Sequence, residues 1–167
     1  FPARGGVSVL YVATEHKCVI NASKILASEV GLEAVALPVN KQGVLNFETL
    51  ERELNKGPAI VSVMLVNNEI GTIQDIRKIH QICSNFGALL HCDASQAPSF
   101  MDVTWLADSA DSISLSSHKM YGPMGVGALI ASPEIQRQLK PLAFGGGQEA
   151  GIRSGTVPLP LCVGFSE

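Results

Sequence analysis

The sequence predicts an α/β layered domain with a mainly parallel sheet. Short apolar runs alternate with stretches of helical period, and turn residues separate them. Polar residues gather where the predicted strands end, at Asn67-Asn68-Glu69, Asp93-Ala94-Ser95-Gln96 and Ser116-Ser117-His118-Lys119. In open α/β sheets ligands bind outside the carboxyl ends of strands, so these strings mark the expected site.

Each element follows from local pattern. Residues 7–13 read as a strand, and Thr14 can cap a helix from about Glu15 to Val30. Val19, Ala22, Ile25, Leu26 and Val30 then share one face, with Gly31 as the stop. Residues 34–39 form the next apolar run, closed by turn residues 40–43, and Asn46 can cap a short helix carrying Leu50 and Leu54. Residues 59–66 are the clearest buried strand. Asp75 opens a helix with Ile76, Ile79, Ile82, Cys83 and Phe86 facing inward, ended by Gly87. Strands are expected at 88–92, 111–115 and, after the Gly-rich turn 121–125, at 127–131. Pro133 opens one more helix, and Val163-Gly164-Phe165 begins another.

Composition narrows the functions. With 167 residues, the chain matches one domain. Charged residues make up only 16 %, against about 25 % in a typical globule, which suggests that more chain or a partner covers part of the surface. A formal charge of -3 with no basic run argues against nucleic acid as a partner. Apolar stretches are strand-sized, far short of the roughly 20 residues that cross a bilayer, so a soluble protein with no membrane partner is expected. The four cysteines stand singly, fit a reducing compartment and read as structural, buried thiols. The chain opens at Phe1 without Met or a signal-type segment and is expected to be a fragment.

Taken alone, the candidate groups have bland readings. A lysine in a Gly-rich loop such as Lys119 is usually solvated, an aspartate ending a strand such as Asp93 usually caps a turn, and His16 belongs by default on a surface. Neighbours on a strand point to opposite faces, so of His91-Cys92-Asp93 only His91 and Asp93 could share a site. No metal centre is expected, because no further ligand has metal-like spacing. Gly122-x-x-Gly125-x-Gly127 is not in dinucleotide-fingerprint order and reads as a tight turn, while Gly145-Gly146-Gly147 suits a flexible loop or a close backbone approach. Together, a lysine and a carboxylate at two strand ends suit a pyridoxal-5'-phosphate (PLP) enzyme. The amine forms a Schiff base and the acid keeps the pyridine nitrogen protonated.

In combination the strings are much more specific. Thr14-Glu15-His16, Val66-Asn67-Asn68-Glu69-Ile70-Gly71, His91-Cys92-Asp93-Ala94-Ser95-Gln96, Ser116-Ser117-His118-Lys119-Met120-Tyr121-Gly122-Pro123, Gly145-Gly146-Gly147-Gln148-Glu149 and Arg153-Ser154-Gly155-Thr156 resemble, in order and interval, the motif set of the NifS/IscS-type cysteine desulfurases. The resemblance implies a three-layer α/β/α, fold-type I architecture with a mainly parallel mixed sheet. Residues 1–167 would be an incomplete PLP-binding large domain.

The resemblance also implies roles. Lys119 is similar to the lysine that carries PLP and later acts as a base, and Asp93 to the carboxylate at the pyridine nitrogen. His16 resembles the imidazole that stacks on the ring and transfers protons with the substrate. Asn68 and Gln96 match residues at the phenolic oxygen, Ser116 and His118 residues at the phosphate. Thr156 matches a residue reaching the phosphate of the neighbouring subunit's cofactor, which implies a homodimer. The implied activity removes sulfur from L-cysteine, giving L-alanine and an enzyme persulfide, for an iron-sulfur scaffold protein or other sulfur-acceptor proteins, including tRNA-thiolating enzymes. Cytoplasm or mitochondrial matrix is the implied compartment. The alternatives are a selenocysteine lyase or another class V lyase, and a catalytically silent PLP-binding or dimerising module.

This chain also departs from the pattern. The persulfide-forming cysteine, a Gly-Ala-Thr phosphate loop and the carboxylate-binding arginine of the family all fall outside it, and Ala150 stands where the family commonly has Arg.

Overall fold

The computed structural model describes residues 8–141 and 143–167. Val7, at the expected start of the first strand, lies outside the described residues. Six strands form one sheet in the order β2-β1-β3-β4-β5-β6. They are β1 (Ser8–Val12), β2 (Ala34–Leu37), β3 (Ala59–Met64), β4 (Leu89–Asp93), β5 (Ser112–Ser116) and β6 (Gly127–Ala131). The first five run parallel, and β6 pairs antiparallel with β5. The expected mainly parallel sheet is present, with the antiparallel edge strand making it mixed.

The helices are α1 (Lys17–Val30), α2 (Phe47–Leu54), α3 (Ile76–Asn85), α4 (Pro133–Gln138) and α5 (Leu159–Ser166). Side-chain alternation divides the sheet into two unlike faces. Leu10, Val61, Val63, Leu90, Cys92 and Ile113 join Leu50, Leu54, Ile76, Ile79, Ile82 and Cys83 in one buried cluster, so α2 and α3 cover this apolar face. The other face carries Ser62, His91 and Ser114 in mid-sheet. α1 packs against β1 and β2. Its crossover runs opposite in direction to that of α3, which places it on this second face.

Local signals behave as the sequence suggests at several ends. Asn46 and Asp75 accept from Thr49 N–H at 2.8 Å and Lys78 N–H at 3.0 Å, and Gly31 and Gly87 adopt positive φ after their helices. In the 40–43 turn, Asn40 Oδ1 accepts from Gln42 and Val44 at 2.9 and 3.0 Å.

Other expectations are corrected. α1 starts at Lys17 with His16, not Thr14, as its N-cap. Its sheet-facing residues are Ser23 and Ala27, while Ala22, Ile25 and Leu26 face outward, with Ile25 58 % exposed. Small side chains let the helix backbone sit close to the strands, so the larger apolar stripe is left outside. Phe86 is the exposed C-cap of α3 rather than a core residue. α5 begins at Leu159, ahead of the expected start. Of the four cysteines only Cys83 and Cys92 are buried; Cys18 is exposed and Cys162 half-buried.

Candidate active site

Parallel alignment puts the carboxyl ends of β1, β3, β4 and β5 on one edge of the sheet. Register sets their order: Met64 stands opposite Asp93, and Asp93 opposite Ser114. Segments 14–16, 67–69, 93–96 and 116–119 therefore all leave from this edge.

Asp93 is the last residue of β4 and is 5 % exposed. Among the described residues its carboxylate makes one hydrogen bond, Oδ1 accepting from Ser95 N–H at 2.9 Å. The turn-capping role and an available second oxygen thus coexist. Lys119 closes the single helical turn Ser117–Lys119 after β5 and is exposed. That turn is tightly wound: Met120 N–H and Gly122 N–H both donate to the Ser117 carbonyl, at 2.8 and 3.1 Å, and the Ser99 hydroxyl donates to the Lys119 carbonyl. A side chain at Gly122 would run into Ser117 Oγ, with the Ser117 carbonyl at 3.2 Å. The tight-turn reading of the Gly-rich stretch is correct here. The Lys119 ammonium makes no ion pair among the described residues.

His16 caps α1 with Nδ1, which accepts from Cys18 N–H at 3.3 Å and lies 3.0 Å from Cys18 Sγ. Because a backbone N–H donates to Nδ1, the neutral ring carries its proton on Nε2. Ser116 Oγ and His118 Nδ1 pair at 3.1 Å. Asn68 is exposed and Gln96 half-buried at the same edge. Thr156 is exposed in a different segment, whose neighbours are tied to the Gly145–Gly147 loop: Ser154 Oγ donates to Gly146 O at 2.8 Å and Gly155 N–H to Gln148 Oε1 at 3.2 Å. The glycines there serve close approach, since a Cβ on Gly145 would meet Ser154 Cβ at 3.0 Å.

Three groups at this edge take parts that the sequence reading did not assign. Asn67, not Asn68, is the buried member of its pair. Its Nδ2 donates to Thr14 O at 2.7 Å while Oδ1 accepts from Glu69 and Ile70 N–H at 2.9 and 3.0 Å, pinning the loop that presents Asn68. His91 lies one layer below Asp93 on the same strand face. It bridges Ser62 Oγ at 2.9 Å through Nδ1 and Ser114 Oγ at 2.8 Å through Nε2. Burial lowers its pKa, Asp93 opposing, and a neutral ring between two hydroxyls can donate on one side and accept on the other. Glu15 is also buried, its Oε1 accepting from Met64 N–H. The Asn-Asn pair and the acidic residue before His16 were the available signals.

Residues 3–167 match the family described as aminotransferase class-V. The chain belongs to that family. Family enzymes use PLP, and relatives of this class-V chain are cysteine desulfurases. It is 45 % identical to the cysteine desulfurase IscS of Ehrlichia chaffeensis over 97 % of its own length and 40 % of that protein. It is 43 % identical to the mitosomal cysteine desulfurase of Trachipleistophora hominis over 96 % of its own length and 36 % of that protein. Among solved structures, a NifS-like protein superposes with TM-score 0.91 at 34 % identity, over 99 % of this chain and 45 % of that one. The structure described as SspA in complex with cysteine superposes at 0.88 with 34 % identity, over 96 % and 46 %. The class-V chain thus spans less than half the length of these relatives. Likeness to these neighbours supports the fold-type I architecture.

Proposed function

We propose that these residues are the incomplete large domain of a PLP-dependent cysteine desulfurase that takes sulfur from L-cysteine, releases L-alanine and forms a persulfide. The observation that carries the reading is the placement of a buried, sparsely bonded Asp93 and an ion-pair-free Lys119 at the ends of adjacent parallel strands. This donor set fits a phosphorylated pyridine. Asp93 offers an anionic acceptor for a protonated ring nitrogen, Lys119 an amine for its aldehyde, and the Ser116–His118 pair polar groups for its phosphate.

When bound, PLP supplies an electron sink for charge developing at the Cα of an amino acid. Lys119 would hold it and take the Cα proton. Asn68 and Gln96 would bond its phenolic oxygen, and His16 would stack on the ring. A fixed Nδ1 leaves His16 Nε2 as the atom that exchanges a proton at the substrate sulfur. Thr156 would serve the cofactor of a second subunit. Exposed Phe100, Tyr121, Met124 and Phe144, between 75 % and 93 % accessible, support a covered homodimer surface. Sulfur would pass to an iron-sulfur scaffold or another acceptor protein, in cytoplasm or mitochondrial matrix, as suits bacterial and mitochondrial relatives. No helix among the described residues is long and apolar enough to cross a membrane.

Borohydride reduction of the polypeptide with its flanking segments tests this reading. A yellow protein that fixes the label on Lys119 is the expected outcome, and Lys119→Ala should abolish both the label and alanine formation from L-cysteine. A colourless protein, or a label on another lysine, rejects the assignment.

A further inference from the structure

The segments that carry His16 and Asn68 leave different strands, β1 and β3, and the side chain that joins them is Asn67. It is buried, and its main chain is fixed on both sides. Its N–H donates to Thr72 O at 2.9 Å, and its carbonyl accepts from Gly71 N–H at 3.1 Å. One end of the amide serves its own loop, Oδ1 accepting from Glu69 and Ile70 N–H at 2.9 and 3.0 Å. The other end reaches the segment after β1, Nδ2 donating to the Thr14 carbonyl at 2.7 Å. Thr14 stands two residues before His16. A second tie runs between the same segments, Glu15 Oε1 accepting from Met64 N–H. Residues 14 and 15 are thus held to the end of β3 at two points, and α1 starts directly after His16.

We propose that Asn67 is a positioning residue that sets His16 in register with Asn68. The three bonds need an amide, because one group must accept two N–H donors on one atom and donate from the other. A carboxylate lacks the donor, and a methyl group lacks both functions. Through Thr14 the donor fixes where the imidazole of His16 stands, and through Glu69 and Ile70 the acceptor fixes the loop that presents Asn68. The use of this link, an imidazole Nε2 held at the substrate sulfur, rests on the desulfurase reading; the link itself does not.

Asn67→Asp keeps the acceptor and removes the donor, so it cuts the tie to Thr14 and spares the loop. Amide hydrogen exchange on the cofactor-free polypeptide with its flanking segments reads both ends. In Asn67→Asp the Glu15 and Cys18 N–H groups should exchange about tenfold faster, as one lost hydrogen bond allows, while Glu69 and Ile70 stay within about twofold. Asn67→Ala should speed all four. With PLP bound, Asn67→Asp should slow alanine formation from L-cysteine about tenfold, because a small misplacement is costly, and leave solvent exchange of the substrate Cα hydrogen within about twofold. Lys119 and Asp93, which serve that exchange, leave from β5 and β4 instead. A merely structural lesion would slow both reactions. Unchanged exchange at Glu15 and Cys18, or a parallel fall of both reactions, overturns the proposal. If neither variant folds, the Asn67 side-chain amide of the unsubstituted polypeptide decides: slowed exchange supports the link, and exchange as fast as in a free amide overturns it. A missing Lys119 label with the exchange pattern intact defeats the cofactor reading alone, and the reverse defeats the Asn67 link alone.

Discussion

Between Ser8 and Ser116 the chain builds a buried core; beyond Ser116 it buries little. Strands β1, β3 and β4 and helices α2 and α3 supply side chains that are fully or almost fully covered, including Leu10, Leu50, Ile79 and Leu90. α4 and α5 bury no residue, and Tyr121, Met124 and Phe144 stand 93 %, 81 % and 89 % exposed. Backbone strain divides the same way. Among the described residues, the non-glycine ones with positive φ are Tyr121, Glu149 and Ala150, all in the later region. Such conformations persist where surroundings enforce them. The later region leaves large apolar side chains uncovered, whereas the earlier one is held by its own core.

Substitutions can break this contrast. The largest expected effect is from Leu90→Ala at the centre of the core, about 2–5 kcal/mol lost in denaturant unfolding. A loss under about 1 kcal/mol would mean that the sheet is loosely packed.

Next comes pH. The folded value of Glu15, about 8, lies above its ordinary 4.5. The folded state thus holds the proton more tightly, and the stabilisation is complete below pH 4.5 and lost as pH rises through about 8. The loss should be roughly 2–4 kcal/mol, somewhat below full linkage because burial is incomplete. Glu15→Gln should flatten that slope in stability measured against pH.

Gly122→Ala should cost about 1–3 kcal/mol by overpacking Ser117, and it should also weaken Lys119 labelling, because the same turn holds the lysine. Smallest is Leu159→Ala, 67 % exposed, which should change the stability of this chain by less than about 0.5 kcal/mol. A clearly larger cost in the polypeptide with its flanking segments would show that α5 is covered there, which would sharpen the comparison.

The sequence made strand positions and the order of site strings legible because apolar runs are bounded by turn residues and because a parallel sheet sends its polar loops to one edge. Lys119, Asp93 and His16 stand in or beside those loops, but only the combined motif set suggested their roles. Pattern alone could not orient α1. The apolar stripe Ala22, Ile25 and Leu26 suggested a buried face, but Ser23 and Ala27 permit closer packing. Nor could it reveal Glu15, since an acid before a helix is ordinarily a solvated first-turn residue. Its burial follows from a tertiary event, the early end of β1 beside a longer β3. His91 was legible only as a poor metal ligand, because its hydroxyl partners come from two other strands. The antiparallel direction of β6 was likewise silent, since alternation does not encode direction.

The strand order has a consequence for biosynthesis. After β3 has joined β1, β4, β5 and β6 are each added to the outer edge in the order in which the ribosome delivers them. Nascent chain can thus grow the sheet by docking one new strand at a time, without inserting any between partners already paired. Asp93 is placed when the fourth strand arrives, and Lys119 only after the fifth, so the earlier strands are in position before the turn that carries Lys119 forms.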